Sequence, residues 1–308
     1  MIQKQIPYAL RSTDLGIGEK YQGKVRDRYI AGEKIFLITT DRISAFDVIL
    51  TTIPFKGQVL NQISSFWFEK TKDIVSNHVI SVPDPNVVIA RKVSILPIEV
   101  VVRGYLTGSA WRDYTKGNAI SGIRLPPGMK KDEKFAEPLL TPSTKAEKGH
   151  DLPISAEEIV SKGILAKGIM QQVKEKAILL FTRGQEVARK NGMILVDTKY
   201  EFGLDEKGKL VLADELHTPD SSRYWYADTY EGRFAKGEEQ RMLDKEYLRQ
   251  WLIKEKNFMG DGPIPKIPED IIVEVSRKYI QIYEEITGLP FQCEVGDVMQ
   301  RIRKNLKI

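Results

Sequence analysis

Sulfur and imidazole are scarce in this chain. Its 308 residues include one cysteine, Cys293, and three histidines. A single thiol excludes an internal disulfide framework and fits a reducing compartment. His78, His150 and His217 lack metal-site spacing, which argues against a structural zinc site. No apolar run reaches the ~18–20 residues that a membrane helix needs, so no membrane partner is expected. Neither a signal-peptide apolar segment nor a transit-peptide composition follows Met1. Together with the lone thiol, this makes a cytoplasmic location the expectation. Internal repeats and low-complexity runs are also missing. The charge excess is small, 47 basic against 42 acidic residues, or +5. Such an excess permits either nucleic acid or phosphorylated small molecules. No basic arm with interleaved aromatics, zinc finger, RNP or basic-zipper pattern is present, so nucleic acid is not expected. The basic tail, residues 301–308, ends a predicted helix, where cations complement the C-terminal dipole.

What is present is a β-rich first part and a mixed second part. β-branched and aromatic alternation predicts strands at residues 34–40, 87–93 and 98–103, interrupted by one helix at about residues 60–71. One long amphipathic helix, or two, is expected from Ala156 to Asn191. It begins at the capping box Ser155-Ala-Glu-Glu158 and ends at Asn191-Gly192. Residues 244–256 and 268–287 read as helices, the second stopped by Gly288. The pattern predicts an α+β protein of two lobes with a cleft between them.

Chemistry concentrates in five places. Asp197-Thr-Lys-Tyr-Glu201-Phe-Gly203 reads as a strand, residues 204–208 as a turn, and Leu210-Val-Leu-Ala213 as the return strand. Alternation puts Asp197, Lys199 and Glu201 on one face, with Asp214 near the far end. Two carboxylates with a lysine can hold Mg²⁺ against nucleotide phosphates. By themselves the same residues read more readily as a solvated hairpin with ordinary ion pairs. Gly18-x-x-x-x-Gly23-Lys24 meets most of a Walker A pattern, but Val25 stands where Ser or Thr should bind Mg²⁺, and a strand follows. That excludes a P-loop and leaves a glycine-bearing hairpin turn, either plain or covering phosphates as in kinase-like lobes. Arg103-Gly-Tyr-Leu-Thr-Gly-Ser109 offers a guanidinium fork beside hydroxyl and backbone donors, suited to a carboxylate or phosphate. Thr141-Pro-Ser-Thr-Lys145 and Thr218-Pro-Asp-Ser-Ser-Arg223 add further donors. A kinase would need His-Arg-Asp and Asp-Phe-Gly, and neither occurs.

These stretches, with Thr40-Asp-Arg-Ile-Ser-Ala-Phe-Asp47-Val48 and Gly57-Gln-Val-Leu-Asn61, resemble the SAICAR synthetase family, in order from about residue 20 to 252. The inserted residues 226–239 resemble its longer, yeast-like branch. The resemblance implies an ATP-dependent ligase of purine biosynthesis that joins CAIR to L-aspartate through an acyl phosphate. It implies a β-rich, ATP-covering lobe at residues 1–98 and a mixed lobe at 99–308 with substrate and metal site. Carried over residue by residue, Glu201 and Asp214 hold Mg²⁺, while Gly23, Lys24 and Arg26 meet ATP phosphates. Residues 91–99, with Arg91, Lys92 and Glu99, carry the adenine. Arg103, Ser109, Ser143, Thr144, Lys145 and Arg223 grip CAIR, with Asp47 and Arg249 as further substrate contacts. Lys199 and Asp197 lie near the reacting groups. The family's Gly-Glu-His-Asp-Glu-Asn run is altered here to Lys148-Gly-His-Asp-Leu-Pro153. A monomer is expected.

Overall fold

The computed structural model describes residues 1–46, 48–145, 151–243 and 247–308. The architecture is α+β, as expected. It divides into two compact units. Residues 1–66, 79–92 and 244–308 form one, and residues 67–78 and 93–243 form the other. The expected boundary at residue 98 differs from this division. The chain changes unit at residues 92 and 93, and the C-terminal helices return to the first unit. An amphipathic stripe states that a helix must be covered, not which sheet covers it.

The first unit holds strands β1 (Glu19–Gln22), β2 (Arg26–Ala31), β3 (Lys34–Thr39), β4 (Arg42–Ala45), β5 (Val48–Thr52), β6 (Val79–Asp84) and β7 (Val87–Arg91). Five form a sheet in the order β1-β2-β3-β7-β6, and β4 pairs with β5. Ile-Phe-Leu-Ile in β3 and Val-Val-Ile in β7 supply the stiff, bulky side chains that suit central strands. Tyr29, Ile38 and Val87 pack with Leu10 and Leu15 against Val298 and Ile302 of the terminal helix Val298–Leu306. Asp297 starts that helix by accepting the Met299 and Gln300 N–H bonds at 2.8 and 3.1 Å.

The second unit holds β8 (Ser94–Ile95), β9 (Ile98–Tyr105), β10 (Lys134–Leu140), β11 (Ser143–Thr144), β12 (Met193–Leu204), β13 (Leu210–Ala213) and β14 (Ser222–Tyr226). The path is β10-β9-β12-β13, with β11 on β9, and β8 and β14 on β12. Helix Lys167–Lys190 packs on β12 through a stripe that includes Val173, Ala177, Leu180 and Ala188. Before it, helix Ala156–Ser161 begins at the expected capping box, with both reciprocal Ser155–Glu158 bonds formed. The expected helix at residues 156–191 is therefore two helices. The helix expected at 60–71 begins earlier, as Lys56–Thr71. Those expected at 244–256 and 268–287 are Tyr247–Lys256 and Glu269–Thr287, with residues 244–246 outside the described set.

The basic tail has a specific structural partner. Arg301 donates from Nε and Nη2 to the two oxygens of buried Asp84 at 3.0 and 3.2 Å, and Asn305 adds a bond of 2.7 Å. Removing one member of a buried ion pair leaves an uncompensated charge, at a cost of about 3–5 kcal/mol. Arg301→Ala is therefore expected to lower stability by about 3 kcal/mol in urea unfolding. Arg303→Ala, whose guanidinium bonds an exposed carbonyl of Asp14, should cost much less. Equal losses would remove Asp84 as the reason for the basic tail.

Candidate active site

Strand β12 puts the chemistry of the second unit in register. Asp197 stands opposite Arg103 of β9 on one side and opposite Arg223 of β14 on the other. One acid thus lies in a row between two bases across neighbouring strands. Asp197 Oδ2 is 3.5 Å from Arg103 Nη1 and 3.4 Å from Arg223 Nη1. Arg103 also donates from Nε to Thr141 Oγ1 at 2.9 Å and from Nη2 to Ser109 Oγ at 3.1 Å. Burial pulls the Arg103 pKa down and the nearby Arg223 adds to that, while Asp197 opposes both. Ser109 lies in the first turn of helix Gly108–Thr115, where backbone N–H groups favour anions. Gly108 allows the close approach. Its φ is +59°, and a Cβ there would lie 2.6 Å from Arg223 Nη1.

Two residues further along β12, Lys199 donates to Glu99 Oε1 of β9 at 2.7 Å. Burial alone would lower the Lys199 pKa, but Glu99, Glu201 and Asp214 outweigh it and hold the ammonium charged. Burial raises Glu99 despite that contact. The two directions compete over one proton, and the three carboxylates around Lys199 decide for the charged lysine. Glu201, next on the same face, accepts from Lys145 Nζ at 2.6 Å. Lys145 follows β11, whose Ser143 and Thr144 pair with Glu99 and Ile98. Glu201 stands opposite Ala213, so Asp214 lies one residue past the paired end of β13. Its φ is +65°, a left-handed conformation that aspartate tolerates better than most residues.

The loop from Asp214 to Arg223 is anchored from the buried side of the sheet. Tyr200, between Lys199 and Glu201 in sequence, faces the other way. Its Oη lies 2.6 Å from His217 Nε2. Tyr224 Oη donates to the His217 carbonyl at 2.7 Å, and the Trp67 ring meets the imidazole edge-on at 4.8 Å. His217 also has a left-handed φ, of +49°. Thr141, Tyr200 and His217 all lie within or beside the motif stretches, yet none is singled out as a site residue by the sequence. A buried histidine has no spacing signature of its own.

The remaining expected residues are in the first unit. Gly23 and Lys24 form the exposed turn between β1 and β2, and Arg26 opens β2. Arg91 closes β7, and the Lys92 N–H donates to the Glu33 carbonyl at 2.9 Å. Arg249 holds its guanidinium over the Phe46 ring at 5.0 Å. Asp47 lies outside the described residues, as do residues 146–150, which include the first three of the altered run. Among the described residues no group of three or more His, Cys, Asp or Glu could hold a metal by itself. Glu201 and Asp214 are hard carboxylate donors of the kind that Mg²⁺ takes together with phosphate and water oxygens.

Residues 19–263 match the family described as SAICAR synthetase. The chain is 48% identical over 309 residues to the phosphoribosylaminoimidazole-succinocarboxamide synthase of Legionella pneumophila strain Paris, covering 98% of this chain and 99% of that protein. It is similar to the SAICAR synthase of Saccharomyces cerevisiae solved in complex with SAICAR, at 35% identity and a TM-score of 0.83, over 92% of this chain and 100% of that one. A type-2 SAICAR synthetase solved in complex with ADP matches at 28% identity and a TM-score of 0.67, over 89% of this chain and 100% of that one.

The buried imidazole has a measurable consequence. Burial pushes His217 down to about 3 from its usual 6.5. Between those values the unfolded chain binds a proton that the native chain does not, so stability falls as pH drops below about 6.5. The contribution approaches about 1.4 kcal/mol per pH unit. Urea midpoints between pH 7 and pH 5 should fall more for the native sequence than for His217→Gln. The same pH dependence in both would assign the acid sensitivity to other groups.

Proposed function

The chain belongs to the SAICAR synthetase family, and from that premise we propose how its residues carry the family's reaction. It is an ATP-dependent ligase of purine biosynthesis that joins the CAIR carboxylate to the amino group of L-aspartate, giving SAICAR, ADP and phosphate. The ADP and SAICAR bound by two solved relatives support ATP and CAIR-derived ligands here too.

A carboxylate is a poor acyl donor, because its charge repels the amine and its leaving group would be oxide. We propose that a CAIR carboxylate oxygen attacks the γ-phosphorus of ATP and expels ADP. The aspartate amine then attacks the acyl carbon, phosphate leaves with the former carboxylate oxygen, and the nitrogen gives up a proton. The protein's task is to position the reactants and offset their charge. The observation that carries the assignment is the row Arg103–Asp197–Arg223 with Ser109 at its edge. Asp197 orients two guanidinium forks toward one anionic ligand, which we take to be CAIR, with Ser143, Thr144 and Lys145 as further donors. Lys199, kept charged by its acidic neighbours, offsets charge at the reacting oxygens. Glu201 and Asp214 would hold Mg²⁺, which when bound neutralises phosphate charge.

Gly23, Lys24 and Arg26 are assigned to the ATP phosphates, and Arg91 and Lys92 to the adenine end. The contact of Glu99 with Lys199 supports a positioning role for Glu99 in place of an adenine contact. Asp47 and Arg249 are assigned to substrate by the family resemblance. The chain is proposed to act as a monomer. A single free thiol supports a cytoplasmic setting.

Glu201→Gln and Asp214→Asn are each expected to reduce turnover to near background while the circular dichroism spectrum stays native. A wild-type kcat for either variant at saturating Mg²⁺ would remove that residue from the metal site. The acyl-phosphate route is tested separately with CAIR labelled with ¹⁸O in its carboxylate. One labelled oxygen should appear in inorganic phosphate per turnover. Unlabelled phosphate with SAICAR still forming would overturn this route and leave the overall reaction in place.

A further inference from the structure

Arg42 is almost fully buried, with 1% of its surface exposed, beneath a turn whose Gly23 and Lys24 are solvent-exposed. A guanidinium is costly to bury, so its partners are informative. Nε donates to the Lys24 carbonyl at 3.0 Å and Nη2 to the Gly23 carbonyl at 2.9 Å. Nη1 donates to the Arg11 carbonyl at 2.6 Å, and Nη2 also meets Asp27 Oδ1 at 2.7 Å. Asp27 is itself fixed, since its Oδ2 accepts from the Thr13 N–H and hydroxyl at 2.9 and 2.8 Å. Burial would raise the Asp27 pKa, but Arg42 and Thr13 hold it below the usual carboxylate value.

The turn's other carbonyls are tied as well. The Val25 carbonyl accepts from the Thr40 N–H and hydroxyl at 3.0 and 2.7 Å, and the Arg26 carbonyl accepts from the Gly23 N–H at 2.8 Å. In a planar trans peptide the carbonyl and the following N–H point in opposite directions. With the Gly23 and Lys24 carbonyls pulled toward Arg42, the N–H groups of Lys24 and Val25 face away from it. A phosphate oxygen is attracted by N–H groups and repelled by carbonyl oxygens. A turn that covers phosphates therefore needs its carbonyls held on the opposite side.

We propose that Arg42 is the positioning residue of the Gly23–Lys24 turn, holding its carbonyls inward so that its amide face and lysine are presented to the ATP phosphates. The inference rests on the reading of that turn as the phosphate cover. Arginine is required because one planar fork with several fixed donors reaches both carbonyls and the carboxylate together, which a lysine point charge cannot do.

The test uses the full-length chain with Arg42→Ala, Arg42→Lys and Lys24→Ala. Affinity for Mg²⁺ and the ATP analogue AMP-PNP is measured by calorimetry, KM for CAIR and aspartate by turnover, and folding by circular dichroism. Arg42→Ala is expected to weaken AMP-PNP at least tenfold and to change KM for CAIR and aspartate less than twofold. Added methylguanidinium should restore AMP-PNP affinity to Arg42→Ala and have no such effect on the native chain. Should Arg42→Ala fail to fold, Arg42→Lys gives the same readout, since it keeps a charge for Asp27 and loses the fork. A folded Arg42 variant with wild-type AMP-PNP affinity, or one that loses all substrates equally, overturns the proposal. Lys24→Ala separates the two failures. If it weakens AMP-PNP and the Arg42 variants do not, only the positioning role falls. If neither changes AMP-PNP binding, the phosphate-cover reading falls with it.

Discussion

The register of one strand governs the second unit. Strand β12 runs for twelve residues and pairs with β9, β13, β14 and β8. Because side chains alternate faces, a slip of one residue would send every polar group on it to the opposite side of the sheet. Asp197 would then leave its two arginines, Lys199 would leave Glu99, and Tyr200 would leave His217. The apolar start, Met193 to Val196, is buried on both faces, so it anchors the strand in the core, and the polar pairings that follow distinguish one register from the next. The hydrophobic beginning holds the strand in the core, and the charged and polar pairs fix which side chains meet.

Much of this was legible in the sequence because it depends on short-range periodicity. The alternation of Asp197, Lys199 and Glu201 on one face follows from a period of two, and a turn at residues 204–208 followed by an apolar return strand places Asp214 near them. The capping box at Ser155 has a fixed spacing that the eye can find. The resemblance of motifs in order then supplied the reaction. Rejecting a P-loop also needed only local facts, Val25 and the strand after it.

What stayed hidden depends on partners distant in sequence or on backbone acceptors. Arg42 bonds carbonyls, and every residue has one, so no composition points to it. His217 and Tyr200 are seventeen positions apart and joined by one buried bond. Their pairing needs the hairpin and the following loop to be folded first. Asp84 and Arg301 are separated by 217 positions. The return of the C-terminal helices to the first unit has the same origin, because helical amphipathicity does not name its cover.

The Lys145–Glu201 contact gives the protein an internal counter-ion. Lys145 occupies one oxygen of that carboxylate, so a cation meeting Glu201 would find its charge already partly offset. Its binding would add to an existing ion pair instead of quenching a bare charge. Because Lys145 directly follows Ser143 and Thr144 of β11, a change of charge at Glu201 would be felt along that strand, with no movement of the sheet required.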